Sequence, residues 1–384
     1  MSGLTEARGP GNDNFWTWRQ LMYRFLDRGG PEEIQAISAM AFKEMLEGGF
    51  TRVVEFHYLH KDPSGQFYAD RAEIARRIAA AASESGIGLT LLPVSYEHSG
   101  FGARPPEHGQ RRFITSFDAF ADLAMDCAKI VSSMPSGVMG VAPHSLRAVS
   151  VETLQRLPGL FPDGPIHIHT KEVEDCLIWS GARPVEWLLD NAPVDRRWTL
   201  IHATHVNEAE WRGIASRQAT VGLCPITEAN LGDGVFPAAD FLQAGGLFGV
   251  GTDSNVQIGL AEELRMLEYS QRLTKRERAV LADRTRSTAR ALLDQSREGG
   301  ARASGVETAL RQGAPADIVI LDGDRVAFAG REDDALLDSW LFSCPSGGVA
   351  SVWQAGREVV REGRHIHADR IERDYRAALL KVII

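Results

Sequence analysis

The chain has 384 residues, long enough for one large α/β domain with a small appendage. Hydrophobic residues make up 44% and charged residues 24%, an ordinary globular composition that excludes a disordered chain. A formal net charge of −9 without a basic stripe argues against binding a nucleic-acid backbone, so an anionic small substrate would need local arginines.

The N-terminus, MSGLTEARGPGNDNFW, has no basic segment followed by an apolar run, and nowhere do about 18 uncharged apolar residues follow one another. Secretion and membrane insertion are therefore not expected. Helical patterns cover 15–26 and 31–47, and after them short apolar runs alternate with amphipathic helical stretches. The runs are 52–57, 89–94, 138–143, 165–169, 199–202, 220–225 and 247–253. Helices between them are expected at 69–84, 117–132, 184–191 and 260–273, with a further helical stretch at 275–295. Repeated strand-helix units of this kind build a parallel sheet. A closed barrel takes eight strands, and seven are counted, so the expected fold is a (β/α)8 TIM-type barrel lacking its first strand.

From residue 314 the pattern changes to a few strands outside the barrel, PADIVILDGD and ASVWQAGREVVREGRHI, and then a terminal helix. The Gly/Ala-rich stretch 298–306 marks the boundary. The expected organisation is a barrel over 1–305, a partial β-sandwich over 306–365 and a C-terminal helix over 366–384. The four cysteines, Cys127, Cys176, Cys224 and Cys344, form no CxxC pair, which fits reduced thiols in a cytoplasmic protein.

In a parallel barrel the chemistry gathers at the C-terminal ends of the strands. Four ends carry polar residues: PIHIH ends at His169, TLIHATH places His202 at its tip, LFGVGTDS ends at Asp253, and VMGVAPHSLR leads into His144 and Arg147. Two imidazoles and a carboxylate are the ligand types of a hydrolytic Zn2+ with an open position for water. A single strand-end histidine is more often a hydrogen-bonded structural residue, and a single aspartate often a helix cap. Their joint occurrence at three tips favours a site. Cys224 in GLCP reads more simply as an apolar filler.

Several long runs make the likeness specific: FWTWRQLMYRF, EFHYLH, GVAPHSLRAV, EDCLIWSGARPVEWLLD, LIHATH, GLCPITEANLGDGVF, GTDSNV and EELRMLEYSQRL. From about residue 3 onward the chain resembles the formimidoylglutamate deiminases of the amidohydrolase superfamily. The resemblance implies zinc-dependent hydrolysis of a formimino carbon, with loss of ammonia and formation of N-formylglutamate, in histidine breakdown. It implies one Zn2+ per chain with His169 and Asp253 as direct ligands, and His202 as the histidine that bonds the attacking water or is recruited to the metal. Asp253 would also be the general base. Arg147, His144, Tyr58 and Arg19 would bind the dianionic substrate, the arginines gripping carboxylates bidentately. Without the resemblance, Arg19 reads as a surface helix residue and Tyr58 as a rim aromatic.

The chain also departs from that family. A His-x-His metal pair on strand one lies, in the family, before the counterpart of Gly3, so the chain reads as N-terminally truncated. An N-terminal segment also completes the small β-sandwich there. After strand five the family reads His-Ile-Ala-Glu-Gln before Lys-Glu-Val, whereas His169 is followed at once by Thr170, Lys171 and Glu172, a deletion of four residues. The lost glutamate is the family's proton shuttle, and Glu172 stands at the same interval as a candidate replacement. The alternatives are a catalytically impaired relative that binds a glutamate-like anion, and a superfamily deaminase acting on ring or guanidino compounds. A homodimer is the assembly the resemblance allows, though no stretch of sequence marks an interface.

Overall fold

The computed structural model describes residues 6, 15–345 and 347–383, with the side chains of 15–18, 20 and 21 outside that description. The expectations for the N-terminal leader and for part of the FWTWRQLMYRF run therefore lie outside the described residues. Helices Phe15–Leu26 and Pro31–Glu47 precede the sheet as the apolar spacing predicted.

A curved parallel sheet follows in strict chain order. Its strands are β1 (Arg52–His57), β2 (Gly88–Ser95), β3 (Val138–Met139), β4 (Ala142–Pro143), β5 (Ile166–His169), β6 (Trp198–Ile201), β7 (Thr220–Leu223) and β8 (Leu247–Val250). The first hydrogen-bonded group joins β1, β2, β3 and β4, the second joins β5 to β8, and the bridges Val141 to Ile166 and Ser145 to His169 connect the two. Among the described residues β1 and β8 pair with no strand on their outer edges, so the barrel is open between them. This matches the predicted strand run except at 138–143, where one expected strand is two short pieces. Gly140 explains the break: a side chain there would collide with the Pro165 carbonyl, so the neighbouring chain crosses where a regular strand would stand.

The expected helix over 275–295 is corrected. The helix Leu260–Lys275 ends at Arg276 in a left-handed conformation, a turn organised by Asp283 follows, and Ser287 caps a new helix, Thr288–Ser304. The supposed boundary stretch at 298–306 is thus mostly helix. Its glycines let the helix lie directly on β8, since a Cβ at Gly299 would overlap the carbonyl of Phe248. The end of this helix forms the barrel floor. His167 Nε2 donates to Ala303 O at 2.8 Å and Thr90 Oγ1 donates to Ser304 O at 2.8 Å, while Arg52 Nη1 donates to Thr90 Oγ1 at 3.2 Å.

Outside the barrel, β9 (Ile318–Leu321), β10 (Val349–Gln354), β11 (Arg357–Arg361) and β12 (Arg364–His365) form an antiparallel sheet in the order β12-β11-β10-β9. The last helix, Ala368–Ile383, lies against Pro31–Glu47 through Lys43 to Glu372 (3.1 Å) and Lys381 to Glu33 (2.8 Å). The buried core is continuous from Leu89, Ile166, Leu200, Val221 and Phe248 in the barrel to Trp340 and Val352 beside the second sheet. No helix among the described residues is long and apolar enough to cross a membrane.

Candidate active site

The C-terminal ends of the strands open into one cavity of about 1330 Å³, and all eight residues singled out in the sequence line it. Burial of the apolar strand bodies fixes these ends, because alternate residues must point into the barrel. The cavity also runs down the gap between β1 and β8, past Arg52, Val54 and Gly249.

His169, His202 and Asp253 come together. The rings of His169 and His202 lie 5.4 Å apart, and His202 Nε2 is 3.8 Å from Asp253 Oδ2. The other nitrogen of each ring is engaged: His169 Nδ1 faces the His144 carbonyl at 3.2 Å, and His202 Nδ1 faces Glu228 Oε1 at 3.1 Å. A carboxylate and a carbonyl both accept, so both rings donate through Nδ1 and leave Nε2 toward the cavity. His202 (φ 64°) and Asp253 (φ 37°) both hold left-handed backbone, which costs of order 1–3 kcal/mol each and persists where packing enforces it.

Burial pulls the His202 imidazolium down, but the Glu228 hydrogen bond and the Asp253 charge outweigh it, so its pKa is raised above the ordinary value. Burial pushes His169 well below the usual histidine range, and the neighbouring His202 pushes it further. His144 is lowered likewise by burial, then by Arg147, His169 and Arg19. The site thus holds neutral imidazoles at His144 and His169 beside a charge-supporting one at His202.

The donor types suit a hydrolytic zinc, yet among the described residues no group of three or more His, Cys, Asp or Glu closes round one point. The described donors alone are an incomplete metal set.

A cationic corner adjoins these residues. Arg147, with a side chain 4% exposed, donates from Nη1 to Tyr96 Oη at 2.7 Å and to Ser99 O at 3.2 Å, and from Nε to Glu172 Oε1 at 2.8 Å. His144 stacks on His169 with ring centroids 5.2 Å apart, and Tyr58 stands edge-on to Phe113 at 5.0 Å. Burial and the Asp253 charge both raise the Tyr58 phenol pKa, so it stays a hydrogen-bond donor. Arg19 is part-buried, 3.6 Å from Glu107 and 5.4 Å from the Tyr23 ring.

Other contributors were not singled out in the sequence. Glu228, in the helix Pro225–Leu231, accepts from Cys224 N at 2.8 Å as well as from His202. A glutamate in the first turn of a helix reads as favourable to the helix dipole, which hides this role. Tyr96 at the end of β2 holds Arg147, and Phe56 stands edge-on to His169 at 4.5 Å; both look like core aromatics in sequence. His167, on the same strand as His169, belongs to the floor. His205 is exposed, beyond the His202 tip.

Parallel strands in chain order, with imidazoles and a carboxylate at their C-terminal ends, define a hydrolase of the barrel class. The amidohydrolase family model matches residues 4–359, and the chain belongs to that family. It is 47% identical over 382 residues to a formimidoylglutamate deiminase of Pseudomonas aeruginosa, covering 98% of this chain and 84% of that protein. A crystal structure of an amidohydrolase from Brucella melitensis superposes with a TM-score of 0.97 at 50% identity, covering 100% of this chain and 86% of that one. An adenosine deaminase from Xanthomonas campestris, crystallised with bound zinc, shares the fold at a TM-score of 0.80 and 23% identity, over 98% of this chain and 82% of that one.

Proposed function

We propose that the chain hydrolyses N-formimidoyl-L-glutamate to N-formyl-L-glutamate and ammonia. The supporting observation is the His202–Asp253 pair, 3.8 Å apart, in the same cavity as Arg147 and Arg19. A water held between His202 Nε2 and Asp253 would lose a proton to Asp253 while its oxygen adds to the formimino carbon. Asp253 returns that proton to the departing nitrogen and then passes the proton of the new hydroxyl to the same nitrogen as the carbon–nitrogen bond breaks, so both protons of the water leave in ammonia and the oxygen stays as the formyl oxygen. His202, able to carry charge, would hydrogen-bond the oxygen as negative charge develops on it.

Arg147 and Arg19 suit the two carboxylates of the substrate, with His144 and Tyr58 as neutral donors beside them. Glu172, the sequence-based candidate for the proton shuttle, is held on Arg147. Zinc at one ion per chain is the proposed cofactor, with His169, Asp253 and His202 as its donors; it would supply Lewis acidity, and the incomplete donor set calls for a further ligand. We place the protein in the cytoplasm, where reduced thiols fit the absence of disulfides among the described residues, and take a homodimer as its assembly. The proposed division is a barrel to residue 305, a partial sandwich over 306–365 and a terminal helix.

A second reading, a relative that binds a glutamate-like anion without turnover, is favoured by the open metal set alone. Purified protein supplied with zinc is assayed for ammonia release from N-formimidoyl-L-glutamate, beside Asp253→Asn. About one tightly held ion per chain and release above the variant support the deiminase. Release no greater than the variant's supports the anion binder.

A further inference from the structure

Glu172 is the third residue after β5 and immediately precedes the helix Val173–Ser180. As the residue before the first helical turn it could cap the helix with its side chain, but it makes no such bond. Its carboxylate turns into the cavity instead and accepts from Arg147 Nε at 2.8 Å. Lys171, next to it, pairs with Asp233, so opposite charges pin the turn on both sides. Both members of the Arg147–Glu172 pair are largely withdrawn from water, at 4% and 16% exposure.

The geometry of the guanidinium gives this pair its consequence. A carboxylate grips arginine bidentately either along the Nε/Nη2 edge or across Nη1 and Nη2. Nη1 is already committed to Tyr96 Oη and Ser99 O, which blocks the second mode. On the first edge Glu172 holds Nε with a single bond, while Nη2 donates no hydrogen bond among the described residues. An incoming carboxylate and Glu172 therefore need the same donor. If both stay, two carboxylates share one guanidinium in a partly desolvated pocket, where like charges a few ångströms apart repel strongly.

We propose that Glu172 is a resident carboxylate that competes with the substrate's carboxylate for the Nε edge of Arg147 and so sets the affinity of the site for dicarboxylates. The inference rests on the proposed substrate class, and it makes Glu172 a specificity residue. A proton shuttle at Glu172 predicts the opposite kinetic pattern: loss of kcat with binding unmoved.

The test is direct binding of glutarate to the full chain by calorimetry, with thermal melting as a check on folding. Glu172→Gln removes the competing charge and is expected to tighten glutarate by at least about tenfold, the effect of one like charge about 6 Å away at an effective dielectric of about 40. Glu172→Asp withdraws the carboxylate by one methylene and is expected to move affinity in the same direction by less, a second readout should the glutamine variant fold poorly. Glutarate affinity unchanged or weakened in folded variants overturns the proposal. Tighter glutarate without ammonia release by the parent protein leaves Glu172 as proposed and rejects the deiminase instead.

Discussion

Replacing Glu228 with alanine tests the architecture behind His202. Glu228 Oε1 accepts from His202 Nδ1 at 3.1 Å and from Cys224 N at 2.8 Å, and the side chains of the ion pair are only 5% and 7% exposed. That bond fixes the tautomer and orientation of the ring, so Nε2 faces Asp253. A hydrogen bond to a charged group contributes about 1.5–3 kcal/mol. If it counts fully only as charge develops on the oxygen that His202 holds, its loss lowers kcat by about 10- to 150-fold, at about 1.4 kcal/mol per tenfold. Glu228→Gln keeps an acceptor oxygen and is expected to stay within about tenfold of the parent. The assay is steady-state ammonia release at saturating substrate, with melting temperatures to separate loss of folding, because Cys224 N also loses its partner. The pH profile adds a second measurement. The Glu228 bond raises the His202 pKa, so removing it lets burial dominate, and the alkaline limb set by loss of the His202 proton moves to lower pH. A folded alanine variant with kcat within twofold of the parent, or with an unmoved alkaline limb, would refute the positioning role.

Asp253→Asn is expected to lower ammonia release by at least about a hundredfold, as for loss of a general base, while glutarate binding by calorimetry persists. Gly299→Ala is expected to prevent stable folding, read by circular dichroism and melting, because its methyl overlaps the Phe248 carbonyl and the helix must leave β8. Burial raises the Glu263 pKa to about 8 from an ordinary 4.5, so the folded chain holds a proton that the unfolded chain releases. Stability is then greatest below about pH 4.5 for this group and is lost as pH rises toward 8; urea melts of Glu263→Gln across that range are expected to show a flatter dependence.

The barrel and the strand tips were legible because they rest on local pattern: a short apolar run followed by a polar residue places His169, His202 and Asp253 at the same end of parallel strands. Details that depend on a crossing chain were not. The break at Gly140 comes from Pro165, and the helix Thr288–Ser304 follows from the Asp283 turn and the Ser287 cap, neither of which alters periodicity. Within the site, ligand-type residues stood out by chemistry, while their supports did not. Glu228 looks like a helix-start acid and Tyr96 like core, because nothing in their own neighbourhoods records what lies across the cavity. Glu172 stands out by its spacing from His169, but spacing along the chain does not show that its carboxylate turns toward Arg147.

The barrel floor is closed by main-chain oxygens of Ala303 and Ser304, received by His167 and Thr90. Carbonyls belong to every residue type, so the seal depends little on which side chains the helix carries at those positions. It depends instead on phase: inserting or deleting one residue upstream in Thr288–Ser304 turns both oxygens by about 100° about the helix axis, away from their donors. That stretch should therefore tolerate substitution at its solvent face while rejecting any change in length.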